Sequence, residues 1–422
     1  MDPGRASLVS DTTRLTASMI VPGDGRVLAP GTLEITDGVV SALISGRDAD
    51  AVELDGIALI PGLVNPHTHL EFSQLRHPIP ADSGMAEWIG QVTQSRRARQ
   101  ACSSESTDPR QDLGNPIRCG IDELMDAGTS LVGDIITSDE LVGSWAETDP
   151  DCVLFREIIA LREDRCDDAY RVACEFLART TTPPGCAALS PHAPYSVHPD
   201  LFHRLVKLAS DEKVPLATHL AESPQELELL TTGRGPLRDR LEAFDAWDSS
   251  AIPRGSSPHD YLVPLATLDH PLVIHGNFLD ERSQSWLADH PHVTVVYCPR
   301  THAHFGHPPH PWRQLRDRGV RVAVGTDSRA SNPDLSSFRE LQFLARLAPD
   351  APPSQLLQMA TTIPAESLGR ASQHGQLTPG RTANALGIAI PVSRPVTLRT
   401  LLRHGTPVGH MRRGAWKAMD AA

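Results

Sequence analysis

Long apolar runs are missing from this sequence. No stretch of about 18 consecutive apolar residues occurs along the 422 residues, so no segment is expected to cross a bilayer. The first residues also lack the basic patch, apolar stretch and small-residue cleavage site of a secretory signal. We therefore expect a soluble, cytoplasmic protein that has no membrane partner.

Cysteine pairs and an excess of positive charge are missing as well. The 7 cysteines are scattered and none forms a Cys-x-x-Cys pair, which argues against a disulfide framework and against a cysteine zinc site. The formal net charge of -13 repels a polyanion on average, so nucleic acid is not an expected partner. A small-molecule substrate fits this charge better.

Short, β-branched apolar runs alternate with amphipathic helical stretches between about residues 58 and 345. The runs are "IALIPGLVNPH", "TSLVGDII", "CVLFREIIAL", "CAALSPHAPY", "VPLATHL", "PLVIHGN", "VTVVYCP" and "VRVAVGTDS". The helical candidates between them are 117–127, 167–179, 199–212, 222–230, 281–289, 311–318 and 336–347. A strand–helix unit repeated eight times closes most economically as an α/β fold of the (β/α)8 TIM barrel type, which we assign to residues 61–372.

The two ends of the chain have a different texture. Short alternating strands with glycine turns precede the barrel, and similar material returns after about residue 373. We predict that residues 1–60 and 373–422 together form one small β-sandwich domain. Two polar, turn-rich stretches, 100–116 and 249–260, are interpreted as surface insertions.

Metal-binding residue types stand at the ends of the apolar runs. His67 and His69 are two apart, so the period-two alternation of a strand puts both imidazoles on one side. His219 ends the fifth run, His275 the sixth and Asp327 the eighth. Each residue alone is more often structural, but together they favour one cation at the C-terminal mouth of the barrel.

Five motifs, "PGLVNPHTHLE", "THLAE", "IHGNFL", "CPRTHAHFG" and "GTDSRASNPDL", give the chain a specific resemblance. In this order they resemble the amidohydrolase superfamily, in particular its mononuclear branch of deaminase-like and chlorohydrolase-like enzymes. The resemblance covers nearly the whole chain, and its one departure, Asn384 in place of an aspartate, lies in the terminal sandwich. It implies that the metal ligands are His67, His69, His219 and Asp327. It also implies catalytic roles for Glu222, His275 and Asp327.

Lysine is nearly absent, which bears on the number of metal ions. Only Lys207, Lys213 and Lys417 are lysines among the 39 Lys plus Arg residues. Many members of the superfamily bridge two metals with a carboxylated lysine at the end of the fourth strand. Here that strand ends with His192, which deaminase-like members use to contact substrate. The resemblance therefore implies one divalent cation as cofactor, and these ligands suit Zn²⁺ and Fe²⁺ alike.

The residues that read the substrate are expected near other strand ends. The candidates are Phe72, Trp88, Arg156, His192, Arg300 and Arg329. Arg97, later on the helix that follows Trp88, is a further one. The segment 302–310 holds four histidines. We interpret it as an extended, solvated loop rather than a second metal site, with His302 alone near enough to reach substrate.

These features predict a metal-dependent hydrolase acting on carbon–nitrogen bonds other than peptide bonds. The leading hypothesis is hydrolytic deamination of an aminated heterocycle or nucleoside-like molecule by a metal-activated water, with Glu222 and Asp327 handling protons. The alternatives are a chlorohydrolase or a cyclic-amide hydrolase with the same metal site. An inactive scaffold is disfavoured because every expected ligand is present. Large barrels often pair, so a homodimer is a further expectation.

Overall fold

The computed structural model describes residues 12–103, 109–139, 145–146, 149–179, 186–390 and 396–419. The predicted fold class is confirmed: eight parallel strands form a nearly closed barrel, and a separate mixed sheet is built from both ends of the chain. Across these ranges, no helix combines the length and the apolar character that a membrane span requires.

Strands and helices alternate through the barrel region. In chain order the strands are β1 (Thr12–Ile20), β2 (Gly31–Thr36), β3 (Val39–Ser45), β4 (Val52–Pro61), β5 (Leu63–Thr68), β6 (Thr129–Ile136), β7 (Asp151–Ile158), β8 (Cys186–Pro191), β9 (Leu216–Leu220), β10 (Pro271–His275), β11 (Thr294–Tyr297), β12 (Arg321–Val324), β13 (Ala385–Ala389), β14 (Thr406–Arg412) and β15 (Ala415–Ala418). The helices are α1 (Met85–Ser103), α2 (Pro109–Asp126), α3 (Cys166–Arg179), α4 (Pro199–Glu212), α5 (Pro224–Thr232), α6 (Pro236–Ala243), α7 (Pro258–Leu262), α8 (Glu281–Asp289), α9 (Pro299–His304), α10 (Trp312–Asp317), α11 (Ser337–Leu347), α12 (Pro353–Met359), α13 (Thr362–Ser367) and α14 (Leu398–His404).

The barrel consists of β5 to β12, which neighbour one another in chain order. Hydrogen bonds at the C-terminal ends join the first strand to the loop after the last. The backbone N–H groups of Thr326 and Asp327 donate to the carbonyl oxygen of His67 over 3.2 and 3.1 Å. The side-chain amide of Asn65 donates to Thr326 Oγ1 over 2.8 Å. The closure therefore brings two distant segments of the chain together at one mouth.

The terminal sheet has the strand order β15-β14-β13-β4-β1-β2-β3. Its strands divide their side chains between two cores, as the alternation of a strand requires. In β4, Ala58 and Ile60 join the barrel core, whereas Leu59 joins a smaller core with Leu33 and Met411. We keep the division into 1–60 plus 373–422 and 61–372 as a proposal; residues 1–11, 391–395 and 420–422 lie outside the described ranges.

The prediction that the first apolar run forms one barrel strand was wrong, because two strands share its residues. The run "IALIPGLVNPH" contains the end of β4 in the terminal sheet and most of β5 in the barrel. The chain changes sheet at Gly62, whose N–H donates to the carbonyl of Asn384 over 2.8 Å. A Cβ at Gly62 would lie 2.8 Å from Ser130, so the close approach of the two sheets requires glycine there.

The interpretation of 100–116 as an irregular insertion was also wrong for its described part. Helix α1 continues to Ser103, and α2 begins at Pro109. Proline is well tolerated in the first turn of a helix, so this residue starts α2 rather than excluding it. The end of the second predicted insertion, 249–260, likewise falls in α7, and α14 adds a helix to the C-terminal region. The predicted bounds of 199–212 and 281–289 are confirmed by α4 and α8.

A buried ion pair supports the loop after β12. Arg300 on α9 contacts Glu340 on α11 through Nε and Oε1 at 2.6 Å, and Asp334 through Nη2 and Oδ1 at 2.7 Å. The Glu340 side chain is completely buried, and Asn332 donates a further hydrogen bond to it over 2.6 Å. The network therefore fixes the loop between β12 and α11.

We predict that Arg300→Met destabilises the protein by about 3–5 kcal/mol, because it leaves a buried carboxylate without its counter-charge. The measurement is the midpoint of urea unfolding. Lys207→Met is the matched control, since Lys207 pairs with Asp211 on the exposed face of α4. Equal midpoints for the two variants would contradict the structural role of Arg300.

Candidate metal centre and active site

Three imidazoles meet at the C-terminal mouth of the barrel. His67 lies in β5, His69 directly follows that strand, and His219 lies in β9. One ring nitrogen from each lies within 4.8 Å of the others, and all three residues are buried. In the part of the chain that the structure describes, this is the single cluster of its kind.

The donor atoms of this cluster fit a bound cation. Both ring nitrogens of His67 and Nδ1 of His69 are buried without a hydrogen-bond partner among the described residues, which is unusual for buried polar atoms. His219 Nδ1 lies 3.1 Å from the carbonyl oxygen of His192. Because a carbonyl only accepts, Nδ1 carries the hydrogen and Nε2 keeps its lone pair for a metal.

Burial keeps His69 and His219 in the neutral form that binds metals. Desolvation, with repulsion from His67, lowers the pKa of His69 to about 3. Desolvation also lowers the pKa of His219 well below its usual value. These two side chains can therefore bind a metal ion without first losing protons near neutral pH.

Asp327 faces the three histidines from the loop after β12. Its Oδ1 lies 3.5 Å from His67 Nε2 and 3.8 Å from His69 Nε2. Ser331 Oγ donates to the other oxygen over 2.6 Å, which fixes the orientation of the carboxylate. Burial alone would raise the pKa of Asp327, but the close approach of His67, with the neighbouring His275 and His69, outweighs burial and lowers it.

Glu222 and His275 form a buried pair beside this group. His275 Nε2 lies 3.2 Å from Glu222 Oε1. Burial raises the pKa of Glu222 well above its usual value and lowers the pKa of His275 to about 3. A neutral carboxyl next to a neutral imidazole can donate a proton and later take one back, which is the behaviour of a general acid–base pair.

Three residues at this mouth adopt a left-handed backbone conformation that only glycine accepts readily. The φ angles are +53° at Ala221, +69° at His275 and +55° at Asp327. Glu226 supports the first of these turns, since its two carboxylate oxygens accept the backbone N–H groups of Ala221 and Glu222 over 2.9 and 2.8 Å. The position of the Glu222 side chain therefore depends on a second buried glutamate.

The histidine-rich segment supports the second turn. His310 Nε2 donates to the carbonyl oxygen of His275 over 2.8 Å and its ring stacks on Tyr297 at 4.0 Å. The interpretation of 302–310 as an extended, solvated loop was wrong, because α9 covers its start and both His302 and His310 are buried. The segment packs behind the active site instead.

A cavity of about 200 Å³ opens above these groups. Its base contains His69, His219, Glu222, His275 and Asp327. Its walls are mainly apolar and include Phe72, Met85, Trp88, Ile89, Val92 and Phe244. The cavity therefore combines a base whose side chains could hold a metal ion and transfer protons with surfaces against which a flat ring can pack.

Comparison with known proteins identifies the family of the chain. The profile of the amidohydrolase family matches residues 58–406. An aminodeoxyfutalosine deaminase from Deinococcus radiodurans is 30% identical over 372 residues, which cover 82% of this chain and 83% of that protein. The chain belongs to the amidohydrolase family.

Two further proteins are similar to this amidohydrolase. A 5-methylthioadenosine/S-adenosylhomocysteine deaminase from Syntrophobacter fumaroxidans is 27% identical over 92% of this chain and 87% of that protein. The fold matches a crystal structure of atrazine chlorohydrolase from Arthrobacter aurescens complexed with zinc, with a TM-score of 0.77, 19% identity and coverage of 97% of both chains. As predicted, the chain is a metal-dependent hydrolase that acts on carbon–nitrogen bonds.

The residues of the amidohydrolase that were predicted to contact substrate divide into two groups by whether they line the cavity. Phe72, Trp88 and His192 line the cavity. Arg156, Arg300 and Arg329 lie outside the lining, each in an ion pair. Arg156 contacts Asp139 at 2.8 Å, and Arg329 contacts Glu123 at 2.9 Å. His302 also lies outside the lining, and Arg97 is exposed beside Phe244.

Two charged residues of the lining, Arg96 and Glu157, were missed from the sequence. Arg96 follows Trp88 and Val92 at intervals of four along α1, so this helical spacing could have distinguished it from Arg97. The sequence pattern favoured its neighbour Arg156, rather than Glu157, as the residue that contacts substrate. Nearly all of β7 is buried on both faces, so no alternation of polar and apolar residues shows which side chain points inward.

We predict that His219→Ala removes most of the bound metal from the purified enzyme, because the cluster loses one of three imidazoles. The measurement is metal content by elemental analysis. His192→Asn is the matched control: its ring lies 5.0 Å from the His219 ring, but the contact with His219 Nδ1 comes from its backbone carbonyl. Equal metal loss in both variants would contradict the ligand set.

Glu226→Gln is expected to lower turnover while metal content stays unchanged. The glutamine side chain has only one acceptor oxygen, so its NH2 group would face one of the two backbone N–H groups that Glu226 accepts. That N–H group would lose its acceptor, and an unsatisfied buried donor costs about 1–3 kcal/mol. The measurements are kcat and metal content. Glu228→Gln on the exposed side of the same helix is the control. Unchanged kcat in Glu226→Gln would show that the turn holds Glu222 without this carboxylate.

Proposed function

We propose that this amidohydrolase catalyses the hydrolytic deamination of an aminated heterocycle or nucleoside-like small molecule. The observation that carries the proposal is the 3.2 Å contact between Glu222 and His275 beside the three-histidine cluster, at the base of an apolar cavity. Both relatives named above are deaminases of nucleoside-type compounds by name, which supports the same reaction class. A small molecule suits the enclosed volume.

The proposed metal ligands are His67, His69, His219 and Asp327, which hold one divalent ion. The first three supply imidazole nitrogens, and Asp327 Oδ1 faces them. A second, lysine-bridged ion is not expected, because β8 is followed by His192 where a bridging lysine would stand. Zn²⁺ and Fe²⁺ both accept this ligand set. The zinc complex of the atrazine chlorohydrolase agrees with the first choice.

Each side chain at the base of the cavity has a separate role in the proposed reaction. A cation held by these four residues would supply Lewis-acid chemistry and would lower the pKa of a water beside the carbon that bears the amine. Asp327 accepts a proton from that water. Glu222 donates its proton to the neighbouring ring nitrogen, and His275, held by His310, keeps the carboxyl in place. Once the water oxygen has added to the carbon, Glu222 takes the remaining proton from that oxygen and passes it to the amine. A carbonyl forms, the carbon–nitrogen bond breaks and ammonia leaves, and the proton held by Asp327 returns to Glu222.

Substrate binding is proposed to use the apolar wall. Phe72 and Trp88 offer faces and edges for ring packing, and His192 stands next to the metal ligand His219 with ring centroids 5.0 Å apart. Arg156, Arg300 and Arg329 would act only through other residues, since each lies outside the cavity. We retain the homodimer as a proposal that sedimentation can test.

We predict that metal-replete enzyme releases ammonia from at least one compound in a panel of amino-purines, their nucleosides and amino-triazines. Glu222→Gln should bind metal normally yet lose about 10²–10⁴-fold in turnover, the usual contribution of a general acid–base. Glu228→Gln is the control. Chloride release from a chlorotriazine without any deamination would favour the chlorohydrolase, and hydrolysis of a cyclic amide would favour the third enzyme alternative. Metal content far below one ion per chain would favour the scaffold.

A further inference from the structure

The cavity has a polar wall that the proposed reaction does not use. Glu157 at the end of β7, Arg96 on α1 and His192 after β8 all line it. Both neighbours keep a long distance from the Glu157 carboxylate: His192 Nε2 lies 3.9 Å from Oε1, and Arg96 Nη2 lies 3.9 Å from Oε2. Neither contact is a hydrogen bond.

Glu157 is an unsatisfied buried acceptor. Its side chain is only 2% exposed, and Oε2 has no hydrogen-bond partner among the described residues. Burial alone would raise the pKa of Glu157, but the charges of His192 and Arg96 outweigh burial and lower it. The carboxylate is therefore an anion at neutral pH that accepts and cannot donate.

Arg96 does not satisfy this carboxylate because another residue holds it. Its Nη2 and Nε donate to Glu71 over 2.5 and 3.2 Å, and its guanidinium lies 5.1 Å from the centre of the Phe72 ring. The guanidinium thus donates hydrogen bonds to Glu71 and offers Glu157 only its charge. Because Glu157 Oε2 is left as an acceptor, the wall suits a ligand that brings a donor to it rather than one that brings an anion.

The Glu157 carboxylate lowers the stability of the protein in this position unless a ligand donates a hydrogen bond to it. A buried polar group without a hydrogen-bond partner is destabilising, and more so when it is charged. Glu157 lies on the cavity surface, beside the His192 ring that neighbours the metal ligand His219. A molecule bound over the metal centre therefore comes within reach of it.

We propose that Glu157 is a specificity-determining residue that accepts a hydrogen bond from an O–H or N–H group of the substrate. The enzyme would then select, among aminated heterocycles, those that carry such a donor beside the reacting ring, either a hydroxyl-bearing substituent or a ring N–H. This inference rests on the proposed deaminase function, because it places the heterocycle in the same cavity.

The test compares Glu157→Gln with the parent enzyme on four probes. Adenosine and 2′,3′,5′-trideoxyadenosine differ in hydroxyl donors, whereas adenine and 9-methyladenine differ in a ring N–H. Dissociation constants are measured by calorimetry on metal-replete protein in a Glu222→Gln background, where turnover does not interfere. Glu175→Gln, an exposed carboxylate on α3 that pairs with Arg179, is the control.

Glu157→Gln is expected to weaken the donor-bearing member of one probe pair by about ten- to a hundredfold and to leave its donor-free partner within about twofold. The affected pair identifies the source of the donor. Metal content should equal that of the control. A merely structural role for Glu157 would weaken all four probes equally, and that outcome would overturn the proposal, as would four unchanged constants.

The inference and the proposed function fail in different ways. Ammonia release by the enzyme with unchanged discrimination in Glu157→Gln overturns the inference and leaves the deaminase function standing. Selective weakening without ammonia release from any probe by the parent enzyme supports the role of Glu157 and counts against deamination. Absence of binding by all four probes at millimolar concentration contradicts both.

Discussion

The mouth of the barrel depends on the convergence of imidazole nitrogens that have no hydrogen-bond partner among the described residues. Unsatisfied buried polar atoms cost about 1–3 kcal/mol each, and nitrogens of His67 and His69 are in this state. A cation that takes their lone pairs removes much of this cost. Because His67, His69 and His219 come from strands on different parts of the barrel, the same coordination that supports catalysis would also tie those strands together.

Catalytic geometry in this protein is maintained from behind the cavity. Ala221, His275 and Asp327 hold backbone conformations that cost about 1–3 kcal/mol each for residues with a side chain. The supports are buried polar groups that the reaction itself does not use: Glu226 binds the turn before Glu222, and His310 binds the carbonyl of His275. Packing and function are therefore coupled at this end of the barrel, since the strained turns aim the reacting side chains.

Much of the fold was predictable because apolar runs and turn residues are local signals. All eight predicted runs contain barrel strands, yet the run from residue 57 to 67 serves two sheets, and 109–116 is helical despite its glycine and prolines. In the site, the sequence indicated the residues that meet at the base, but it favoured Arg156 over Glu157 and Arg97 over Arg96. Strands buried on both faces show no alternation, so neighbouring residues could not be told apart.

The sequence by itself determined the chemistry available to the protein: imidazoles and a carboxylate at strand ends, a glutamate three residues after His219, and almost no lysine. Only the tertiary structure decided which charged side chains reach the cavity: Glu157 lies there with Oε2 lacking a hydrogen-bond partner among the described residues, while Arg300 holds a loop. The reason is physical. Residue types and spacing follow from the chain alone, but the direction of a side chain and the identity of its partner depend on contacts between segments that lie far apart in sequence.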